Sequence, residues 1–357
     1  MRIGLIDVDG HNYPNLPLMK LSAWHKQQGD TVEWYQPMFS GHMDIVYMSK
    51  VFSFTPDYEY FIDADKIVKG GTGYAIKLVD GKEVYDKSKD TPLADEIEHI
   101  YPDYSIYPEQ TIDTAYGFLT RGCPRGCSFC HVAPKEGQCS HKVADLSEFW
   151  NGQKNIVLCD PNILACPDWK DLLQQLIDSK ARVDFNQGLD IRMITPEKAD
   201  MLSQIKINAI HFAWDRYEDI DLVQPRFLEF RKASKIHPHN LQVYVLCGDH
   251  ERYVRDEDLY RIYWLRDNGY APYVMLYDKE HLPKGHELRK LQRWVNNRFI
   301  FWKCKDFEDY KANICPLSRG QGFQGLCGQM GQESRPQHIR GLPAQYPARV
   351  REVGQRK

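Results

Sequence analysis

Apolar and polar positions alternate with two different periods along the chain. Residues 2–7 (RIGLID), 31–35 (TVEWY), 44–49 (DIVYMS) and 65–70 (DKIVKG) are short apolar or alternating runs, which predict strands. Residues 16–29 (LPLMKLSAWHKQQG) carry a helical period and stop at Gly29, a residue suited to a helix C-cap. Residues 1–87 therefore predict a Rossmann-like parallel α/β domain. Between 50 and 63 the aromatic density and Pro56 argue against a helix. From 114 onward six further runs predict strands: 114–120, 154–159, 181–185, 207–213, 241–247 and 271–277. Helix-like stretches lie between them, among them 167–180 and 196–205, where Pro167 and Pro196 suit first turns. Strands alternating with helices predict a parallel sheet, with ligand-binding groups at the C-terminal strand ends. Residues 88–113, acidic and rich in Pro and Tyr, read as an ordered linker.

The tail changes character. Residues 316–357 hold seven Gly, seven Gln and four Pro, a composition that cannot bury a core, so disorder is expected there. Seven Lys and Arg against two Asp and Glu make this tail basic, which would suit RNA or another polyanion, but the favoured expectation is a solvated end. The whole chain of 357 residues has a formal charge of -3, which gives no global drive toward nucleic acid or an acidic membrane. No secretory leader pattern and no apolar run of about 18 residues is visible, so a cytoplasmic protein without membrane spans is expected. In a reducing compartment, ten cysteines point to metal or catalysis before disulfides.

Three of them crowd into TRGCPRGCSFCHV, residues 120–132: Cys123, Cys127 and Cys130, spaced C-x3-C-x2-C. A structural zinc site usually takes four ligands in separated pairs. An iron–sulfur cluster held by three cysteines leaves one iron open to a ligand that is not protein. Gly122 and Gly126 let the backbone turn around a bulky group, Pro124 stiffens the turn, and Phe129 sets an aromatic face beside the last thiol. Cys304, Cys315 and Cys327, and likewise Cys139, Cys159, Cys166 and Cys247, lack ligand spacing.

This loop resembles the signature of the radical S-adenosylmethionine (SAM) enzymes, C-x3-C-x-(aromatic)-C. The resemblance implies a 4Fe–4S cluster on Cys123, Cys127 and Cys130, with SAM chelated to the open iron and cleaved to a 5'-deoxyadenosyl radical. It also implies a partial (β/α)6 TIM-type barrel over 114–300 and an electron donor such as a flavodoxin or ferredoxin. Polar residues follow the other predicted strands: Asp160 and Asn162; Asn186, Gln187, Asp190 and Arg192; Trp214, Asp215 and Arg216; Gly248 and Glu251. By the resemblance, Phe129, Asp160, Asn162, Gln187, Asp190, Arg192, Gly248 and Glu251 are candidates for holding SAM. The family's Gly-Gly-Glu segment is replaced by DPNI, and Tyr244 and Leu246 alter the adenine-side segment.

In the first domain, DGH (9–11), SKV (49–51) and GGTG (70–73) resemble, in order, the D-x-H-x-x-G, S-x-L and Gly-Gly segments of cobalamin-binding domains. The resemblance implies His11 as a cobalt ligand oriented by Asp9, with Ser49, Gly70 and Gly71 along the nucleotide tail of the cofactor. Pro14 and Val51 depart from that pattern. Two expectations follow: a cobalamin-dependent methyltransferase, or a cobalamin-free radical SAM enzyme whose first domain serves a substrate such as RNA or a peptide. The alternative from another class is a non-catalytic zinc-binding module. The expected organisation is a cobalamin-binding-like domain (1–87), a linker (88–113), a barrel (114–300) and an extension (301–357).

Overall fold

A computed structural model describes residues 1–79, 82–249 and 251–311. The basic tail, with Cys315 and Cys327, lies outside them. By packing, the chain divides into two compact units: residues 1–187 with 204–208, and residues 188–203 with those from 209 onward.

The first unit begins with β1 (Arg2–Asp7), α1 (Leu16–Gln27), β2 (Thr31–Trp34), β3 (Met43–Ser49) and β4 (Ala64–Gly70). The strands pair in parallel in the order β2-β1-β3-β4. The period of two divides their side chains between the faces. Ile3 and Leu5 pack on Leu18 and Leu21 of α1, while Ile6, Val46 and Met48 pack on the opposite face beneath Tyr58 and Ile62. Asn15 caps α1 by accepting from the Leu18 amide at 3.3 Å, a contact worth about 1 kcal/mol. Gly29, at φ +82°, ends its last turn in the left-handed conformation expected of it. No helix forms between 50 and 63.

Short elements follow: α2 (Thr72–Ala75), the antiparallel hairpin β5 (Ile76–Val79) and β6 (Lys82–Tyr85), α3 (Asp95–Glu98) and α4 (Pro108–Thr111). The segment read as a linker is part of the first core. Leu93, Ile97 and Ile106 cover the α1 face of the sheet. Lys20 pairs with Glu98 at 2.9 Å, and the Tyr107 hydroxyl donates to Asp7 at 2.6 Å.

A second parallel sheet contains β7 (Thr114–Gly117), β10 (Asn155–Leu158), β11 (Arg182–Phe185), β12 (Lys206–Ala213), β13 (Leu241–Cys247) and β14 (Ala271–Leu276). Its order, β14-β13-β12-β11-β10-β7, follows the chain, and the sheet is open, with β7 and β14 at its edges. After β7 come the two-residue strands β8 (Thr120–Arg121) and β9 (His141–Lys142), paired antiparallel, with α5 (Val132–Glu136) between them. Helices α6 (Trp169–Ser179), α7 (Pro196–Gln204), α8 (Ile220–Ala233), α9 (Asp256–Asp267), α10 (Glu287–Asn296), α11 (Arg298–Lys303) and α12 (Phe307–Lys311) complete the described chain. The molecule is thus mixed α/β with two parallel sheets. Among the described residues no helix is long and apolar enough to cross a membrane.

Candidate functional site

The cysteine loop leaves the C-terminal end of β7, the edge where parallel sheets place ligands. Its entry is clamped by Asp160, two residues beyond β10. That carboxylate is 4% exposed. It accepts from the Leu119 amide at 3.1 Å, the Thr120 amide at 2.5 Å and the Thr120 hydroxyl at 2.7 Å. Burial pushes its pKa up to about 6, against these hydrogen bonds, which favour the ionised form. Asp160 is thereby a positioning residue committed to the protein's own backbone.

The loop is closed at its base. Arg121 meets Glu136 at 2.8 Å, the Gly122 amide donates to the same carboxylate at 3.1 Å, and the Cys123 amide donates to the Gly137 carbonyl at 3.1 Å. Gly122 has φ +82°, and a Cβ there would stand 2.1 Å from the Cys139 carbonyl oxygen, so only glycine fits. Beyond this base, Cys123, Cys127 and Cys130 are half-buried, while Pro124, Arg125, Gly126, Ser128 and Phe129 face solvent.

Two donors point at the sulfurs. The Val132 amide stands 3.5 Å from Cys130 Sγ, and Asn162 Nδ2 stands 3.6 Å from Cys123 Sγ. Asn162 is 2% exposed, and its Oδ1 is buried without a hydrogen-bond partner. A buried polar atom left unpaired costs about 1–3 kcal/mol, so this amide is a feature that a bound group would complete. Among the described residues, no three or more His, Cys, Asp or Glu side chains converge in an arrangement that would hold a metal ion. The chemistry of the donor set nonetheless suits one: three thiols within eight residues, with N–H donors beside two of the sulfurs.

The clamp carries a prediction. The folded pKa of Asp160 lies above its unfolded value, so its contribution is fully present at low pH and is lost as pH rises through about 6. Compared with Asp160→Asn, the wild type should lose on the order of 2–3 kcal/mol of relative stability between pH 4 and pH 7. Chemical denaturation of both proteins across that range checks it; a pH-independent difference would show that Asp160 is not held as a buried titrating acid.

Of the residues expected to hold cobalamin, Asp9, Ser49, Gly70 and Gly71 lie around one stretch of chain at 49–52, while His11 faces a different cleft. Asp9 accepts from the Val51 and Phe52 amides and from the Thr55 hydroxyl, and so is committed to the 51–55 loop rather than to His11. His11 is exposed and stands edge-on to Trp34, with ring centroids 4.2 Å apart. It lines a cleft of about 870 Å³ at the ends of β1 and β2. Ser49, Gly70 and Gly71 line a different cavity, of about 800 Å³. Ser49 is buried and accepts from Asn15 Nδ2 at 2.9 Å. Gly71, at φ +98°, lies so close to the chain at Lys50 that a Cβ would come within 2.3 Å of its carbonyl oxygen. Gly71 is thus required by the packing of this chain on itself. A corrin held by His11 with its tail along Ser49, Gly70 and Gly71 does not fit this arrangement.

Gln187 is exposed at the end of the first unit's share of the second sheet. In the second unit, Asp190 accepts from the Arg192 amide at 3.0 Å and pairs with its guanidinium at 2.7 Å, forming a local turn. Trp214 is core, 1% exposed, with its indole N–H on the Arg216 carbonyl. Gly248 takes φ +80° after β13, and Glu251 is exposed. Asp215 is held by burial at a pKa of about 6, opposed by Arg261. Arg261 is fully buried and donates to the carbonyls of Trp214, Asp215 and Leu246 and to Asp258. The roles of Glu136 and Arg261 have no signature in the sequence: the partners of Glu136 lie 14 or more residues away, and apart from Asp258, three residues back, the partners of Arg261 are backbone carbonyls.

No model of a known protein family matches the chain, and no curated protein matches it.

Proposed function

We propose that this protein is a radical SAM enzyme that holds a 4Fe–4S cluster on Cys123, Cys127 and Cys130. The observation that carries the reading is the three-thiol loop at the C-terminal end of β7, with Asn162 donating toward Cys123 and keeping an unpartnered acceptor beside it. Bound there, the cluster would supply one electron to the sulfonium of SAM and release a 5'-deoxyadenosyl radical.

The chain's own residues do the rest. Asp160 and Glu136 fix the two ends of the loop, so that the thiols are presented at one strand edge. The Val132 amide and Asn162 lower the energy of thiolate ligands by hydrogen bonding. Phe129, 40% exposed beside the last thiol, offers an aromatic face to a bound ligand. The open sheet in chain order is consistent with a partial (β/α)6 barrel, the finer form of the observed topology. A low-potential flavodoxin or ferredoxin would supply the electron. The commitments of Asp9, Ser49 and Gly71 favour the cobalamin-free form of this enzyme.

Anaerobic purification followed by iron, sulfide, zinc and cobalt analysis tests both parts. About four irons per chain and release of 5'-deoxyadenosine from SAM under reduction are expected. Zinc in place of iron after attempted reconstitution would overturn the enzyme reading. Stoichiometric cobalamin, lost in His11→Ala, would overturn its cobalamin-free form; wild type and His11→Ala are expected to be alike, with no cobalt.

A further inference from the structure

The cavity of about 800 Å³ in the first unit has two kinds of wall. Leu18, Leu21, Tyr47, Val68, Leu93 and Ile97 give it an apolar side. Lys135 and Asp90 give it two opposite charges. The other charged groups around it are already satisfied or wet. Arg121 pairs with Glu136 at 2.8 Å, Lys142 with Asp145 at 2.6 Å, and Glu98 with Lys20 at 2.9 Å. His99 pairs with Glu148, His141 is exposed on the Cys139 carbonyl, and Asp95 is exposed to solvent.

Lys135 and Asp90 differ from these. Lys135 is half-buried on α5, and its ammonium donates to the Thr72 hydroxyl at 2.7 Å without an ion pair among the described residues. Asp90 is half-buried and accepts from the Tyr85 hydroxyl at 2.5 Å, again without an ion pair. The two do not pair with each other. Buried charges are ordinarily paired, because desolvation is costly. Burial pushes the Lys135 ammonium below the usual lysine value, against the opposing attraction of Glu136, Asp90 and Glu98, none of which reaches ion-pair distance among the described residues.

We infer that this cavity is a binding site for a zwitterionic small molecule of the α-amino acid type, its carboxylate on Lys135, its ammonium on Asp90 and its side chain against the apolar wall. An ammonium alone would favour a simple anion, but Asp90 in the same cavity would repel one. A ligand carrying both charges satisfies both groups, and about 800 Å³ accommodates a large apolar or aromatic side chain. The cavity meets the base of the three-thiol loop at Arg121 and Glu136 but includes none of the three cysteines, and the proposal does not depend on any group bound to them.

The test uses the full chain and calorimetric titration with L-phenylalanine, L-tryptophan and L-leucine. Two half-molecules serve as controls: 3-phenylpropionate, which lacks the ammonium, and phenethylamine, which lacks the carboxylate. At least one of the amino acids should bind, and each half-molecule should bind at least about tenfold more weakly than L-phenylalanine. Lys135→Met should lose the amino acid and 3-phenylpropionate. Asp90→Asn should lose the amino acid and phenethylamine. Because Lys135→Met replaces a half-buried unpaired ammonium by an apolar chain of similar length, the ligand-free variant should melt at or above the wild-type temperature. Three results would each overturn the proposal. These are no binding of any of the three amino acids at millimolar concentration, 3-phenylpropionate binding as tightly as L-phenylalanine, or a lower melting temperature for Lys135→Met. The last would mark Lys135 as a structural strut to Thr72.

Discussion

Cys127→Ala should abolish iron binding and lower 5'-deoxyadenosine release from SAM by more than about a hundredfold, because two thiolates cannot hold a cluster that takes three protein ligands. Cys127 is the middle thiol of the loop, and Cys130 folds back onto it through a 3.0 Å backbone hydrogen bond. Its loss should leave the fold intact, because the loop is anchored through Gly122, Glu136 and Asp160. The measurement is iron content with a circular dichroism melt on the same sample. A variant that still releases 5'-deoxyadenosine would sink the cluster assignment. Asn162→Ala gives the graded companion result. Iron should remain while its affinity or reduction potential shifts, since hydrogen-bond donors to ligands are typically worth 10–100-fold in affinity or activity.

Arg261→Leu should destabilise the protein by about 3–5 kcal/mol, read as the midpoint of urea unfolding. Its guanidinium is fully buried and donates to the Trp214 carbonyl at 2.8 Å, the Asp215 carbonyl at 2.5 Å, the Leu246 carbonyl at 2.9 Å and Asp258 at 2.6 Å. These carbonyls stand at the C-terminal ends of β12 and β13, so one side chain ties two strand ends together. Removing it leaves buried acceptors unpaired and weakens the charge balance at Asp258, which keeps Arg255 among the described residues. Arg261→Lys should recover little of the loss, because an ammonium cannot reproduce a planar fork. A cost below about 1 kcal/mol would mean that water replaces the guanidinium at these carbonyls.

Periodicity carried most of the secondary structure. The run 241–247 coincides with β13, and the run 207–213 differs from β12 by one residue. The first run of the second sheet is the instructive departure. Residues 114–120 form two strands, because the Asp160 clamp at Leu119 and Thr120 interrupts the ladder after Gly117. A side chain 40 residues away leaves no trace in a local pattern. The cysteine loop was visible because ligand spacing is itself local. The roles of Asp160 and Asn162 were only half visible: their place after a strand could be read, but not that one turns to backbone amides and the other to a thiol. In the first domain, the short motifs have a second physical account. An Asp that orients a cobalt-ligating His and a Gly beside a nucleotide tail are the residue types a cobalamin site needs, yet Asp9 and Gly71 are also those that tight packing against the 50–55 loop requires.

Leu93, Ile97, Ile106 and Tyr107 complete the core of the four-stranded sheet. This bears on how such a chain could be cut and recombined. A fragment ending at residue 87 would expose the apolar face that these residues cover, and would aggregate on expression rather than fold. A break at 87 thus falls inside one compact unit, which runs on to residue 187, with Tyr107 closing onto Asp7. A gene fusion or transplantation that breaks before that tyrosine would carry the sheet away without its lid.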